Sequence, residues 1–107
     1  MDSIKGQIQA DIAAGGVLMY SKAYCPFCTD AKNLLKQGGV QYKVYELDNM
    51  DNGSAIQSAL QGVSGQRTVP NIYIGGKHIG GCSDLQALAS KGTLGGMLTA
   101  AGVQNSF

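Results

Sequence analysis

The chain has 107 residues, 44% hydrophobic, 14% charged and 7% aromatic, with a net charge of +1. That length and composition suit one small domain over 1–107 with a buried core, and they exclude an intrinsically disordered chain. Near-neutral charge leaves no footprint for nucleic acid or a membrane surface, and the longest apolar runs, such as Val17–Tyr20, are too short to span a bilayer. Met1–Gly6 lacks both the signal and the transit pattern, so a cytoplasmic location is expected.

Ile4, Ile8 and Ile12 recur every fourth residue and predict an amphipathic first helix, capped near Asp2 or Ser3 and ended by Gly15-Gly16. Val17–Tyr20 is a short apolar run between breakers, which reads as a buried strand. The segment after Cys25 turns Ala31, Leu34 and Leu35 inward as a helix and stops at Gly38-Gly39. Val40–Leu47 alternates as a second strand. Helix between strands implies a crossover and a parallel pair. Ser54–Val63 has helical spacing at Ile56, Ala59, Leu60 and Val63, broken by Gly62, Ser64 and Gly65. Asn71–Ile74 and Lys77–Ile79 flank Gly75-Gly76, a two-residue hairpin turn that needs positive φ. Ser83-Asp84-Leu85-Gln86 has the form of a capping box, which starts a helix at Ser83 and runs it to Lys91-Gly92. Thr93 is placed to cap a last short helix through Leu94, Met97 and Leu98, closed by Gly102. The order α-β-α-β-α-β-β-α-α predicts an α/β fold, a four-stranded mixed sheet flanked by about five helices.

The chemistry concentrates in Cys25-Pro26-Phe27-Cys28. Cys25 follows a strand and opens a helix, and Pro26 suits the first helical position because its missing N–H would be orphaned there. A sulfur at that cap faces free N–H groups and the positive end of the helix dipole, which favour a thiolate, and Lys22 adds charge nearby. Cys28 lies one turn further in on the same face, within reach of a mixed disulfide formed on Cys25. Three cysteines are an odd and sparse set for a secreted disulfide scaffold. In a reducing compartment a close pair is catalytic or metal-binding more often than structural. A zinc site from Cys25, Cys28, His78 and Cys82 is the formal alternative. Against it stand the helix start and the proline between the thiols, and the apolar periodicity suffices for folding without metal.

The chain resembles the glutaredoxins, of the thioredoxin-like fold, in three blocks that follow the family's order and spacing. These are Lys22-Ala23-Tyr24-Cys25-Pro26-Phe27-Cys28, Arg67-Thr68-Val69-Pro70 and Gly80-Gly81-Cys82-Ser83-Asp84-Leu85. The usual dithiol form has Tyr where this chain has Phe27, which keeps the ring and drops the hydroxyl. The resemblance implies a glutathione site. Lys22 and Arg67 match positions for the glycyl carboxylate; as bare residues they are equally solvated cations. Pro70 is cis in the family, which would aim the Val69 backbone, next to Thr68, at an extended peptide. By sequence alone it is as well an ordinary proline opening a strand. Backbone N–H groups of Cys82, Ser83 and Asp84 would take the γ-glutamyl carboxylate at a helix N-terminus, and the Asp84 carboxylate the amine. Ser83 and Asp84 also read simply as helix-cap residues. Tyr24 either walls the cleft or packs. The Cys82 thiol reads as a small buried group, and His78 as a strand residue without a catalytic role.

The implied activity is a glutathione-dependent thiol–disulfide oxidoreductase, with Cys25 as nucleophile, Cys28 as resolving thiol, glutathione as co-substrate and no metal. Its partners are glutathionylated or disulfide-containing proteins, and on family grounds it acts as a monomer. Two alternatives remain. The thioredoxin branch carries Trp-Cys-Gly-Pro-Cys, and this chain has no Trp. Some glutaredoxins join as dimers around a glutathione-ligated [2Fe–2S] cluster, which soft thiolates suit. Pro26 argues against the cluster, since those members more often have a smaller residue there.

Overall fold

Residue pairing along Val17–Ser21 decides the architecture, because this strand is buried at every position and forms ladders on both edges. The computed structural model describes residues 3–107. Its elements are α1 (Ser3–Ala13), β1 (Val17–Ser21), α2 (Pro26–Gln37), β2 (Lys43–Glu46), α3 (Gly53–Ser64), β3 (Asn71–Ile74), β4 (Lys77–Gly80), α4 (Cys82–Ser90) and α5 (Leu94–Ala100). The sheet order is β2-β1-β3-β4, with β1 parallel to β2 and antiparallel to β3, and β3 antiparallel to β4. The mixed sheet and the five helices are those the sequence pattern predicts.

Strand periodicity divides the core in two. Val17 and Met19 of β1, with Ile72 and Ile74 of β3, face α2, α4 and α5 through Ala31, Leu35, Leu85, Leu94 and Leu98. Leu18, Tyr20 and Tyr73 point the other way, to Ile8 of α1 and Ile56 and Leu60 of α3. A strand covered on both faces has no solvent side, which is why β1 reads as a continuous apolar run. Each fully buried leucine contributes about 1.5–3 kcal/mol.

Several boundaries differ from the sequence reading, each for a local reason. The second strand is Lys43–Glu46 and not Val40–Leu47. The ladder runs from Leu18 opposite Lys43 to Ser21 opposite Glu46 and ends with β1. Val40 is buried, but its N–H donates to Leu35 O at 3.0 Å and so finishes α2. Leu47 opens a 3₁₀ turn, Leu47–Asn49. Of the three breakers read after α3, Gly62 and Ser64 stay helical, and Gly65 ends the helix in the left-handed conformation with φ +80°. Thr93 occupies the cap position of α5, but its hydroxyl turns back to donate to Leu88 O at 3.2 Å. Ile8 is buried, while Ile4 and Ile12 are partly buried beside it. A cap at Asp2 lies outside the described residues, and Ser3 is already within α1. Gly75 and Gly76 take φ +58° and +84°, as the tight hairpin requires.

Two glycines of α3 have opposite sensitivities. A Cβ on Gly53 would overlap the backbone carbonyl of Leu47, whereas one on Gly62 meets nothing within 4 Å. Gly53→Ala is expected to cost about 1–3 kcal/mol, because backbone has to move. Gly62→Ala is expected to stabilise by about 0.5–1 kcal/mol through helix propensity. Urea denaturation of both variants checks the pair; equal signs would contradict the packing described.

Candidate active site

The C-terminal end of β1 delivers the chain to a short turn before α2. Cys25 N–H donates to Lys22 O at 3.0 Å, and Ala23 N–H donates to the Asp48 carboxylate at 3.0 Å. Cys25 is the N-cap of α2, with extended backbone, and Pro26 follows at the first helical position. The Cys28 N–H donates to Cys25 Sγ at 3.3 Å. Sulfur thus does here what a Ser or Asp oxygen does at an ordinary cap, and it meets the positive end of the helix.

The two thiols occupy different environments. Cys25 is half-buried, Cys28 is 0% exposed, and both are free, as is Cys82. Burial, with the neighbouring Cys25 as second cause, pushes the Cys28 thiol up to about 11. The backbone of Lys22 and the Ser21 hydroxyl act in the opposite sense without cancelling it.

Opposite Cys25 lies the segment before β3. The Val69–Pro70 bond is cis, as the family resemblance implies, and the Cys25 thiol faces Val69 O at 3.9 Å. An open cleft of about 460 Å³ runs from this point to the start of α4. Phe27, Asp30, Thr68, Val69, Pro70, Gly81, Cys82, Ser83 and Gln86 line it. Of the residues singled out in the sequence, Thr68, Val69, Pro70, Cys82 and Ser83 therefore share one cavity. Arg67 is exposed and Lys22 half-buried, and neither lines it. Tyr24, 72% exposed, does not wall the cleft either; the ring that does is Phe27. The turn carrying Tyr24 is tied to Asp48 beyond β2, whereas the cleft lies on the β3 side of β1.

The start of α4 also departs from the sequence reading. The helix begins at Cys82 with Gly81 as N-cap, so Ser83 is its second residue and opens no capping box with Gln86. Asp84 instead accepts the Gly81 N–H at 2.9 Å. A Cβ on Gly80, at φ +121°, would overlap that carboxylate, which explains the glycine at that position. The first helical bond is Leu85 N–H to Gly81 O at 3.1 Å. Gly81 has no side chain to accept the N–H groups that follow, so those of Cys82, Ser83 and Asp84 lie open to an anion.

The four residues of the formal zinc alternative do not meet. His78 lies against Tyr73, which packs on the α1–α3 side, whereas Cys82 packs on the α2–α4 side. Among the described residues no group of three His, Cys, Asp or Glu side chains is arranged to hold a metal ion. Cys82 is 5% exposed, and burial raises its pKa.

Sequence reasoning passed over the polar residues behind the 67–70 segment. Gln66 Nε2 donates to Thr68 O and Pro70 O, both at 2.9 Å. Asn71, 0% exposed, donates to Gln66 O at 3.2 Å and to the Ser64 hydroxyl at 3.4 Å. Gln57 donates to Arg67 O at 3.0 Å. The one available signal was Asn71, an amide at the head of an otherwise apolar strand.

The thiol asymmetry has a pH signature. The folded chain keeps the Cys28 proton beyond the ordinary 9.0, so this thiol's contribution to stability is intact below that pH and is lost as pH rises to about 11. At about pH 8, iodoacetamide is expected to modify Cys25 in the reduced protein and spare Cys28. Mass spectrometry of the cysteine-bearing peptides checks this; equal labelling of both would contradict the burial of Cys28.

Known proteins match this arrangement closely. The glutaredoxin family model matches residues 17–79, from β1 through the hairpin. A glutaredoxin of Ricinus communis is 54% identical over 91 residues, covering 85% of this chain and 89% of the relative. The crystal structure of the buckwheat glutaredoxin–glutathione complex has a TM-score of 0.91 at 42% identity, covering 94% of this chain and 92% of that one. The holo form of glutaredoxin C1 from Populus tremula × tremuloides has a TM-score of 0.90 at 40% identity, covering 94% and 99%. With Cys25 capping α2 above a cleft and these relatives along most of its length, the chain belongs to the glutaredoxin family of thiol–disulfide oxidoreductases, with their thioredoxin-like fold.

Proposed function

We propose that the protein reduces glutathione mixed disulfides and protein disulfides with glutathione as co-substrate. The observation that carries this reading is the position of Cys25 Sγ, held by the Cys28 N–H at 3.3 Å and facing Val69 O at 3.9 Å. Next to it is a cleft that ends at the N-terminus of α4. Glutathione is an extended tripeptide with a carboxylate at each end and an amine beside one of them. Its γ-glutamyl carboxylate suits the open N–H groups of Cys82, Ser83 and Asp84, and the amine suits Asp84. The Val69 backbone suits pairing with the cysteinyl portion, beside Thr68 and Pro70. Lys22 and Arg67 lie outside the lining of the cleft, and in this reading they supply positive charge for the glycyl carboxylate. The buckwheat relative forms a complex with glutathione, which supports the same ligand here.

Cys25 is the nucleophile, because its sulfur accepts an amide hydrogen bond at the helix cap and reaches solvent. Its thiolate attacks the glutathionyl sulfur of a mixed disulfide, forms a Cys25–glutathione disulfide and releases the substrate thiol. The thiolate of a second glutathione attacks the glutathionyl sulfur of that disulfide, leaving as glutathione disulfide and restoring Cys25. With a protein disulfide, Cys25 forms a mixed disulfide with one substrate sulfur. Cys28 then gives up its proton and attacks Cys25 Sγ, which breaks the mixed disulfide, releases the substrate with both sulfurs as thiols and leaves a Cys25–Cys28 disulfide; two glutathiones reduce that and leave as glutathione disulfide. A Cys28 thiol held high by burial has little thiolate near neutral pH, which favours the glutathione route.

Glutathione-dependent reduction of a small mixed disulfide, coupled to glutathione reductase, tests the proposal. Wild type and Cys28→Ser are expected to be active, and Cys25→Ser inactive. Inactivity of both wild type and Cys28→Ser, with Cys25 present as a free thiol, overturns it. Loss in Cys28→Ser alone overturns the one-thiol route.

A further inference from the structure

Gln66 is not among the residues that line the cleft. Both of its Nε2 bonds, at 2.9 Å, go to backbone carbonyls, those of Thr68 and Pro70. Two backbone carbonyls can only accept, so the amide nitrogen has to face them and the orientation of the carboxamide is settled by its partners. Between the two clamped residues stands Val69, whose own carbonyl faces Cys25 Sγ at 3.9 Å. Gln66 itself is braced at both backbone ends. Its N–H donates to the Ser64 hydroxyl at 3.2 Å, and its carbonyl accepts from buried Asn71 at 3.2 Å. Ser64 in turn donates to Leu60 O at 3.1 Å, which anchors the network in α3. A chain of hydrogen bonds thus runs from α3 and β3 to the residues on either side of Val69.

From this geometry we propose that Gln66 is a positioning residue for the glutathionyl group. By holding the Thr68 and Pro70 carbonyls on its own side, it keeps the Val69 backbone turned to the cleft and in register with Cys25. It touches neither sulfur nor substrate and acts only through Val69. The proposal rests on the glutathione reading above and adds to it a residue that sets affinity for that half of the substrate. Without the clamp the segment samples other backbone orientations, and the strand-like pairing is lost for part of the time. Binding then weakens, while the Cys25 sulfur at its helix cap is untouched.

Gln66→Glu is the informative variant, because it keeps the shape of the side chain and replaces the donor with an acceptor that repels both carbonyls. Gln66→Ala removes the clamp without repulsion. Loss of two neutral hydrogen bonds predicts a KM for the glutathione mixed disulfide about tenfold higher in either variant, with kcat near that of wild type. The rate at which Cys25 reacts with 5,5′-dithiobis(2-nitrobenzoate), which needs no peptide pairing, is expected to be unchanged. Circular dichroism melting is run on both variants, and the kinetics are read at a temperature where each is folded; if only one folds there, it decides alone. A wild-type KM overturns the proposal. So does a parallel fall in kcat and in the nitrobenzoate rate, or failure of both variants to fold, since each makes Gln66 a residue of stability only. Wild-type protein with no glutathione-dependent turnover would instead overturn the glutathione reading itself.

Discussion

A helix N-terminus presents amide hydrogens with no partner inside the helix, and in this protein one of them is given to a sulfur. The Cys28 N–H to Cys25 Sγ bond at 3.3 Å binds the backbone of one active-site cysteine to the side chain of the other. It holds the Cys25 sulfur at the helix cap, and the helix that supplies it buries Cys28 completely. The bond depends on β1 ending at Ser21, on the turn through Lys22 and on Pro26 at the first helical position. Proline is favourable there because it removes one orphan donor and leaves the others for the sulfur.

The second half of the site is the N-terminus of α4, where the cleft ends and whose leading N–H groups suit an anion. Both α2 and α4 pack through Leu35 and Leu85 onto the same face of the sheet, against Ile72. That shared core sets the distance between the sulfur and the open N–H groups of α4. Gly81 as cap matters chemically, since a serine or aspartate there would have filled those N–H groups with its own oxygen. Asp84 takes the one amide that precedes them and leaves the rest. The 67–70 segment closes the gap between the two helix ends and is held from behind by polar side chains that never enter the cleft.

Burial also divides labour between two residues of one chemical type. Cys25 and Cys28 are three positions apart, yet one reaches solvent and the other does not. Desolvation holds the proton on the inner sulfur, and no charged neighbour is needed to make the pair unequal.

Much of this was legible in the residues alone. The apolar run at Val17–Tyr20, the four-residue spacing of Ile4, Ile8 and Ile12, and the Gly75-Gly76 turn are local signals, so the element order followed from them. Cys25-Pro26 at a strand-to-helix junction carried the chemistry in the same local way. The failures fall where a distant partner decides. Val40 looked like a strand residue but finishes α2, because β1 is too short to pair with it. Ser83 had the form of a cap, but Gly81 and Asp84 together start the helix one residue earlier. Tyr24 and Phe27 are aromatics three positions apart, and only the folded chain shows which ring meets the cleft. Gln66 carried no signal at all, since its role lies in carbonyls two and four residues away that fold back onto it. Short-range chemistry was thus written in the sequence. Which groups face one another across the cleft was decided by packing, because hydrogen-bond partners distant along the chain are chosen only when the sheet and its helices have assembled.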